Sequence, residues 1–175
     1  MNALSTKPIL LTKTVLMAGI AAWMSIAVFN NATDPGTNRY LLGLMLEMTL
    51  LQDEPNGLGA GLLWRAWSSE VAPPLLWGIV AVQIAIALYL WRGALTFGAA
   101  AFSGDRVALE DARRTCIRAL TAFMTLWIFF LCGGLWFGYW MKQGAVQMVH
   151  MTLLIMSVLF IGFMADRRGE RPEEA

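Results

Sequence analysis

Charge is what this sequence has least of. Of its 175 residues 14% are charged, against about 25% in an ordinary soluble domain. A water-facing surface needs charge to cover it, so the shortage excludes an ordinary soluble domain. Histidine occurs once, as His150, and cysteine twice, as Cys116 and Cys132. One histidine is too few ligands for hydrolytic zinc, and no His-Glu-x-x-His spacing, phosphate loop or Gly-x-Ser-x-Gly elbow is present. The two cysteines share one apolar segment. In a helix they stand about 24 Å apart, beyond the reach of a disulfide. A net charge of +1 argues against nucleic acid as the main partner, because phosphate binding needs a basic face. Charge is also missing from the centres of the apolar runs, where Gln83 is the strongest polar side chain. That argues against an ion-coupled pump but leaves open a pore formed by an oligomer.

What is present is long apolar sequence: 58% of residues are hydrophobic, with eight Trp and eleven Met. A spanning helix needs about 20 mostly apolar residues. Four stretches qualify, at about 9–29, 74–91, 116–139 and 145–165. The first also resembles a signal peptide, with Lys7 and Lys13 ahead of an apolar run. Its length, and Trp23 and Phe29 where a small-residue cleavage site belongs, predict a retained anchor. The expected fold is an all-α, polytopic membrane protein forming a single integral membrane domain. Its outer loop is 30–73, its cytoplasmic loop 92–115 and its cytoplasmic tail 166–175. Basic residues set the orientation. Lys7, Lys13, Arg92, Arg106, Arg113, Arg114, Arg118, Arg167, Arg168 and Arg171 fall on the side of the termini. Arg39, Arg65 and Lys142 fall on the other. Both termini are therefore expected in the cytoplasm, with the protein in a bacterial inner membrane.

The first loop carries the candidate surface. Residues 38–52 have a helical apolar face formed by Leu41, Leu42, Leu44, Met45, Met48 and Leu51. The pattern fits an interfacial helix, a helix packed over the bundle and a partly inserted re-entrant segment alike. Gly57, Gly59 and Gly61 read as flexible loop. Trp64 and Trp67 flank Arg65, the composition of a headgroup-level anchor. Asn30, Asn31, Thr33, Asp34, Asn38, Trp64 and Arg65 make a candidate ligand or partner site, in which Arg65 pairs with Asp34 or grips an anionic group. The plainer alternative, which we favour, has Asn30 and Asn31 capping the first helix while Asp34-Pro35-Gly36 forms a turn. In the third span Gly133, Gly134 and Gly138 offer a small-residue face for close approach of another helix. His150 is a weak candidate for a haem ligand or proton relay. Its plainer reading is a hydrogen-bonded structural residue, and no metal or cofactor is expected.

The order of these features resembles a family of bacterial predicted small integral membrane proteins, domain of unknown function 2165. The resemblance rests on Phe29-Asn30-Asn31 with Thr33-Asp34 and Asn38, on Trp64-Arg65-Ala66, and on the Gly- and Trp-rich stretch from Gly133-Gly134 to Trp140. Pro35 and Thr37 stand where the family often has Tyr and Ser, and residues 47–61 also depart from its usual pattern. The resemblance implies fold and membrane location and supplies no reaction. The expected function is non-enzymatic: an accessory, scaffold or assembly subunit of a larger membrane complex. The alternative is binding or transport of a lipid or small amphiphile at the periplasmic polar cluster.

Overall fold

The computed structural model describes residues 7–168. Arg171 and the end of the expected tail lie outside the described residues. Among the described residues six α-helices follow in order: α1 (Lys7–Thr33), α2 (Pro35–Glu47), α3 (Thr49–Gln52), α4 (Ala72–Ser103), α5 (Arg106–Trp136) and α6 (Gly144–Ala165). Short 3-10 turns occupy Ala60–Arg65, Ser69–Val71 and Tyr139–Met141. No strand occurs among the described residues. Helices α1, α5 and α6, and the continuous helical stretch that includes α4, are long and apolar enough to cross a membrane.

The helices outrun the apolar spans. Most of the expected connector 92–115 is helical, and the break between α4 and α5 shrinks to Gly104 and Asp105. Gly104 takes a left-handed φ of 73°, which costs glycine little. The Asp105 carboxylate then accepts from the amides of Val107 and Ala108, at 2.9 and 3.1 Å. That is an N-cap, so α5 starts in polar sequence and runs into the span. At its far end α5 stops at Trp136, and Tyr139 belongs to a separate turn.

The chain divides into two compact units, and each long helix contributes to both. Unit 1 comprises residues up to Ile26, Gln83–Met124 and the chain from Met156 onward. Its centre holds Met17, Met24, Leu90, Phe97, Leu120, Phe123 and Met164, all fully buried. Lipid is as apolar as these side chains, so close packing holds such helices together. Two glycines of α4 make that contact close. A methyl on Gly93 would lie 3.3 Å from Cys116 Sγ, and one on Gly98 would lie 3.0 Å from Thr14. The Cys116 thiol donates to the Gly93 carbonyl at 3.3 Å. Trp91 donates to the Ser25 hydroxyl at 3.0 Å.

Two buried cations close the C-terminal end of α6. Lys13 donates to the Asp166 carbonyl and Arg113 to the Met164 carbonyl. Helix C-termini leave carbonyls unpaired and carry partial negative charge, so both contacts are favourable. The Glu110 carboxylate meets Arg113 at 3.4 Å, Arg114 at 3.8 Å and Arg167 at 2.5 Å.

Unit 2 comprises Ala27–Val82 and Thr125–Ile155. Its core is Leu46, Met48, Leu51, Ala72 and Phe137, with Leu42, Leu62, Leu63 and Met141 packed around it. The apolar face of 38–52 therefore covers protein within this unit. Residues 57–61 are less free than their glycines suggest. Gly59 and Gly138 both have positive φ, and a methyl on either would sit about 3 Å from Leu51 and Met141 side chains. Both positions need glycine for backbone conformation and for room.

Candidate functional site at the first loop

All seven candidate residues of the first loop lie in unit 2. The structure divides them into two groups. The first is the elbow between α1 and α2. α1 runs past Asn30 and Asn31 to Thr33, and the Asp34 amide closes onto the Asn30 carbonyl at 2.9 Å. Asp34-Pro35-Gly36 is not a free-standing turn. Asp34 caps α2 with Pro35 in its first turn, accepting from the Thr37 amide at 3.3 Å and the Thr37 hydroxyl at 2.7 Å. Those hydrogen bonds hold the Asp34 carboxyl below its ordinary value of 3.8. Asn31 is buried and accepts from the Asn38 side-chain amide, tying α1 to α2. Thr33 donates back to the Phe29 carbonyl at 2.8 Å, and Asn30 is exposed.

Arg65 forms the second group and does not pair with Asp34. Its guanidinium carbon lies 4.8 Å from the Trp136 ring centre and 5.2 Å from that of Trp64. The two rings meet edge to face at 6.1 Å. One terminal nitrogen donates to the Trp136 carbonyl at 3.3 Å. Arg65 therefore closes the C-terminus of α5 in the way that Arg113 closes α6. Its Nε is buried without a hydrogen-bond partner, whereas Trp64 is 73% exposed. This is a cation held by aromatic faces, a contact worth about 0.5–2 kcal/mol according to how far it is desolvated.

The loop between these groups is tied down by polar contacts. The Trp67 amide donates to the Leu46 carbonyl at 2.8 Å, and the Ser69 amide to the Glu47 carboxylate at 3.2 Å. The bonds from Ser69 hold the Glu47 carboxyl below its ordinary range. Lys142 pairs with Glu54. A cavity beneath this layer, bordered by Met45, Met48, Leu51, Phe137 and Tyr139, has a volume of about 10 Å³. That is room for about one water.

Two sequence expectations change here. Gly134 does make room for another helix, but the neighbour is α6 of this chain, through Gln147, together with the Tyr139 ring. Gly138 is no longer in α5 and faces Leu51, Leu62 and Met141, while Gly133 borders open space. His150 meets the Tyr139 hydroxyl at 3.0 Å through Nδ1. It stacks on Trp127 with ring centres 5.7 Å apart and tilts against Phe130 at 5.0 Å. No group of three His, Cys, Asp or Glu side chains able to hold a metal occurs among the described residues.

Sequence reasoning missed the roles of Trp136 and Tyr139. Their partners lie 71 and 11 residues away. The one local signal was Gly134, five residues before Tyr139, which leaves room for the ring. No curated protein and no solved structure matches the chain. The family model that does match covers residues 9–165, and the chain belongs to the predicted small integral membrane protein family, DUF2165.

Proposed function

We propose that the protein is a non-catalytic subunit of a larger membrane complex, contacting its partner through the layer built by α2, α3 and the following turns. The observation that carries this reading is the division of labour in that layer. Asn31, Asn38, Asp34, Glu47 and Glu54 are engaged in bonds that fix its shape. Aromatic surface is left outward: Tyr40 is 67% exposed and Trp67 53%. Rigid, exposed aromatics are the side chains that most often anchor protein interfaces. The proposed setting is a bacterial inner membrane with both termini cytoplasmic. Its support is the charge balance: nine basic and four acidic side chains in the described part of unit 1, against three and five in unit 2. Basic residues collect on the cytoplasmic side of membrane proteins.

The test is isolation of tagged full-length protein from its own membranes in mild detergent, followed by mass spectrometry of proteins and lipids. A stoichiometric membrane protein should accompany it. That partner should be lost from a Tyr40→Ala/Trp67→Ala variant that elutes and melts like the parent. Isolation of the chain alone overturns the reading. A second reading, capture of an anionic amphiphile, rests on the aromatic-held guanidinium of Arg65. Isolation without protein but with one enriched anionic lipid, lost in Arg65→Gln, would select it instead.

A further inference from the structure

Six of the twelve basic side chains among the described residues have a protein partner. Lys13 and Arg113 close α6, Arg114 and Arg167 meet Glu110, Arg65 meets Trp136 and Lys142 meets Glu54. Arg92 of α4 and Arg118 of α5 are exposed, and neither guanidinium has a hydrogen-bond or ion-pair partner among the described residues.

Both lie in unit 1 and at one level. Arg92 is about 17 Å from Ser103 along α4, and Arg118 about 18 Å from Arg106 along α5. The contact of Gly93 with Cys116 confirms that these two heights coincide. The side chains one turn either side of Arg92 on its exposed face are Leu88 and Leu95, 66% and 67% exposed. Arg92 thus interrupts an apolar surface. The level also has the marks of a membrane boundary. Residues 72–91 of α4 span about 30 Å, the thickness of the hydrocarbon core. Tyr89 and Trp91 precede Arg92, the residue types enriched at headgroup depth.

We infer that Arg92 and Arg118 bind the phosphates of anionic phospholipids whose acyl chains lie along the neighbouring apolar surface of α4 and α5. The guanidinium offers paired N–H donors matched to phosphate oxygens. The partner is a lipid surface because Arg92 stands between exposed leucines at headgroup depth, where acyl chains can cover its apolar neighbours, and exposed Arg118 lies at the same level. The excess of positive charge in unit 1 favours anionic over zwitterionic headgroups. Nothing here depends on the proposed partner complex.

The test uses full-length protein reconstituted in phosphatidylcholine vesicles containing a minor share of phosphatidylglycerol. It is then re-extracted in mild detergent, and retained lipid is quantified by mass spectrometry. The parent should retain phosphatidylglycerol in preference to phosphatidylcholine, less so at high salt. In Arg92→Gln/Arg118→Gln the preference should fall by about thirtyfold, the combined effect of two cations near an anionic surface. Arg114→Gln, which removes a guanidinium already paired with Glu110 and Asp111, should keep most of it. A parent without preference overturns the inference, as does a double variant with the preference intact. If the double variant fails to fold, the parent's preference and its salt dependence decide, together with Arg92→Glu alone, which must reduce retention.

Discussion

A methyl group on Gly134 would lie 2.2 Å from Cε1 of Tyr139 and 2.6 Å from the Gln147 side-chain oxygen. Real carbon atoms do not approach so closely, so even alanine must displace the tyrosine. Displacement would break the contact between the Tyr139 hydroxyl and His150. Gly134→Ala is expected to destabilise the protein by about 1–3 kcal/mol, the usual cost of overpacking, measured by unfolding in detergent micelles. The cost should shrink on a Tyr139→Ala background, because the two changes share one contact. Equal costs on both backgrounds would place the strain elsewhere. Asp34 makes a separate residue-scale case. Its folded-state value lies below 3.8 because Thr37 bonds to the carboxylate. The cap is therefore fully present above 3.8 and is lost as pH falls through the lower folded-state value. Amide exchange at Thr37 and Asn38 should accelerate in that acid window. Asp34→Asn, which still caps but does not titrate, should remove the acceleration; an unchanged acid response in Asp34→Asn would exclude Asp34 as its source.

At the scale of elements, the end of α6 depends on cations from other helices. Arg113 is 3% exposed and reaches the Met164 carbonyl from α5, while Lys13 reaches Asp166 from α1. Arg113→Met keeps the bulk and removes the donor, leaving a buried carbonyl with one contact fewer. The expected loss is about 3 kcal/mol, as when one partner of a buried charged contact is removed, with faster amide exchange confined to the last turns of α6. Uniform exchange along α6 would show that the cap does not hold that end. Lys13 and Arg113 were legible as charges near span ends, but their roles as caps were not. Capping across helices depends on which helices meet, and no local spacing encodes that. Four helices could be read directly, because an apolar run of bilayer length with an uncharged centre has few other uses. The start of α2 was harder. Asp followed by Pro and Gly serves a turn or an N-cap with proline in the first turn equally well. Only the Thr37 amide, placed by the folded chain, separates the two. The polar cluster read from composition likewise resolved into an elbow and a separate aromatic-held arginine, because Arg65 found Trp136 rather than Asp34.

For the whole molecule the deciding quantity is the uneven distribution of charge. The described part of unit 1 carries a net +5 and unit 2 a net −2, counting nine basic and four acidic side chains against three and five. Burial of Lys13 and Arg113 as helix caps does not cancel this bias, since orientation is set on the inserting chain by its basic residues. On the orientation proposed above, the break at Gly104 and Asp105 would face the cytoplasm and the turn around Asn56 the outside. Single cysteines at Ser103 and Asn56 report each side. Cys132, exposed on a spanning helix, and buried Cys116 should be shielded by lipid and by protein from a charged maleimide that cannot cross membranes. Intact cells should label Asn56→Cys and leave Ser103→Cys unlabelled until the membrane is opened. The reverse pattern would invert the topology and move Arg92 and Arg118 to the outer leaflet. Labelling of both sites in sealed cells would mean that the chain inserts in two orientations, and the charge imbalance would then be too weak to orient it.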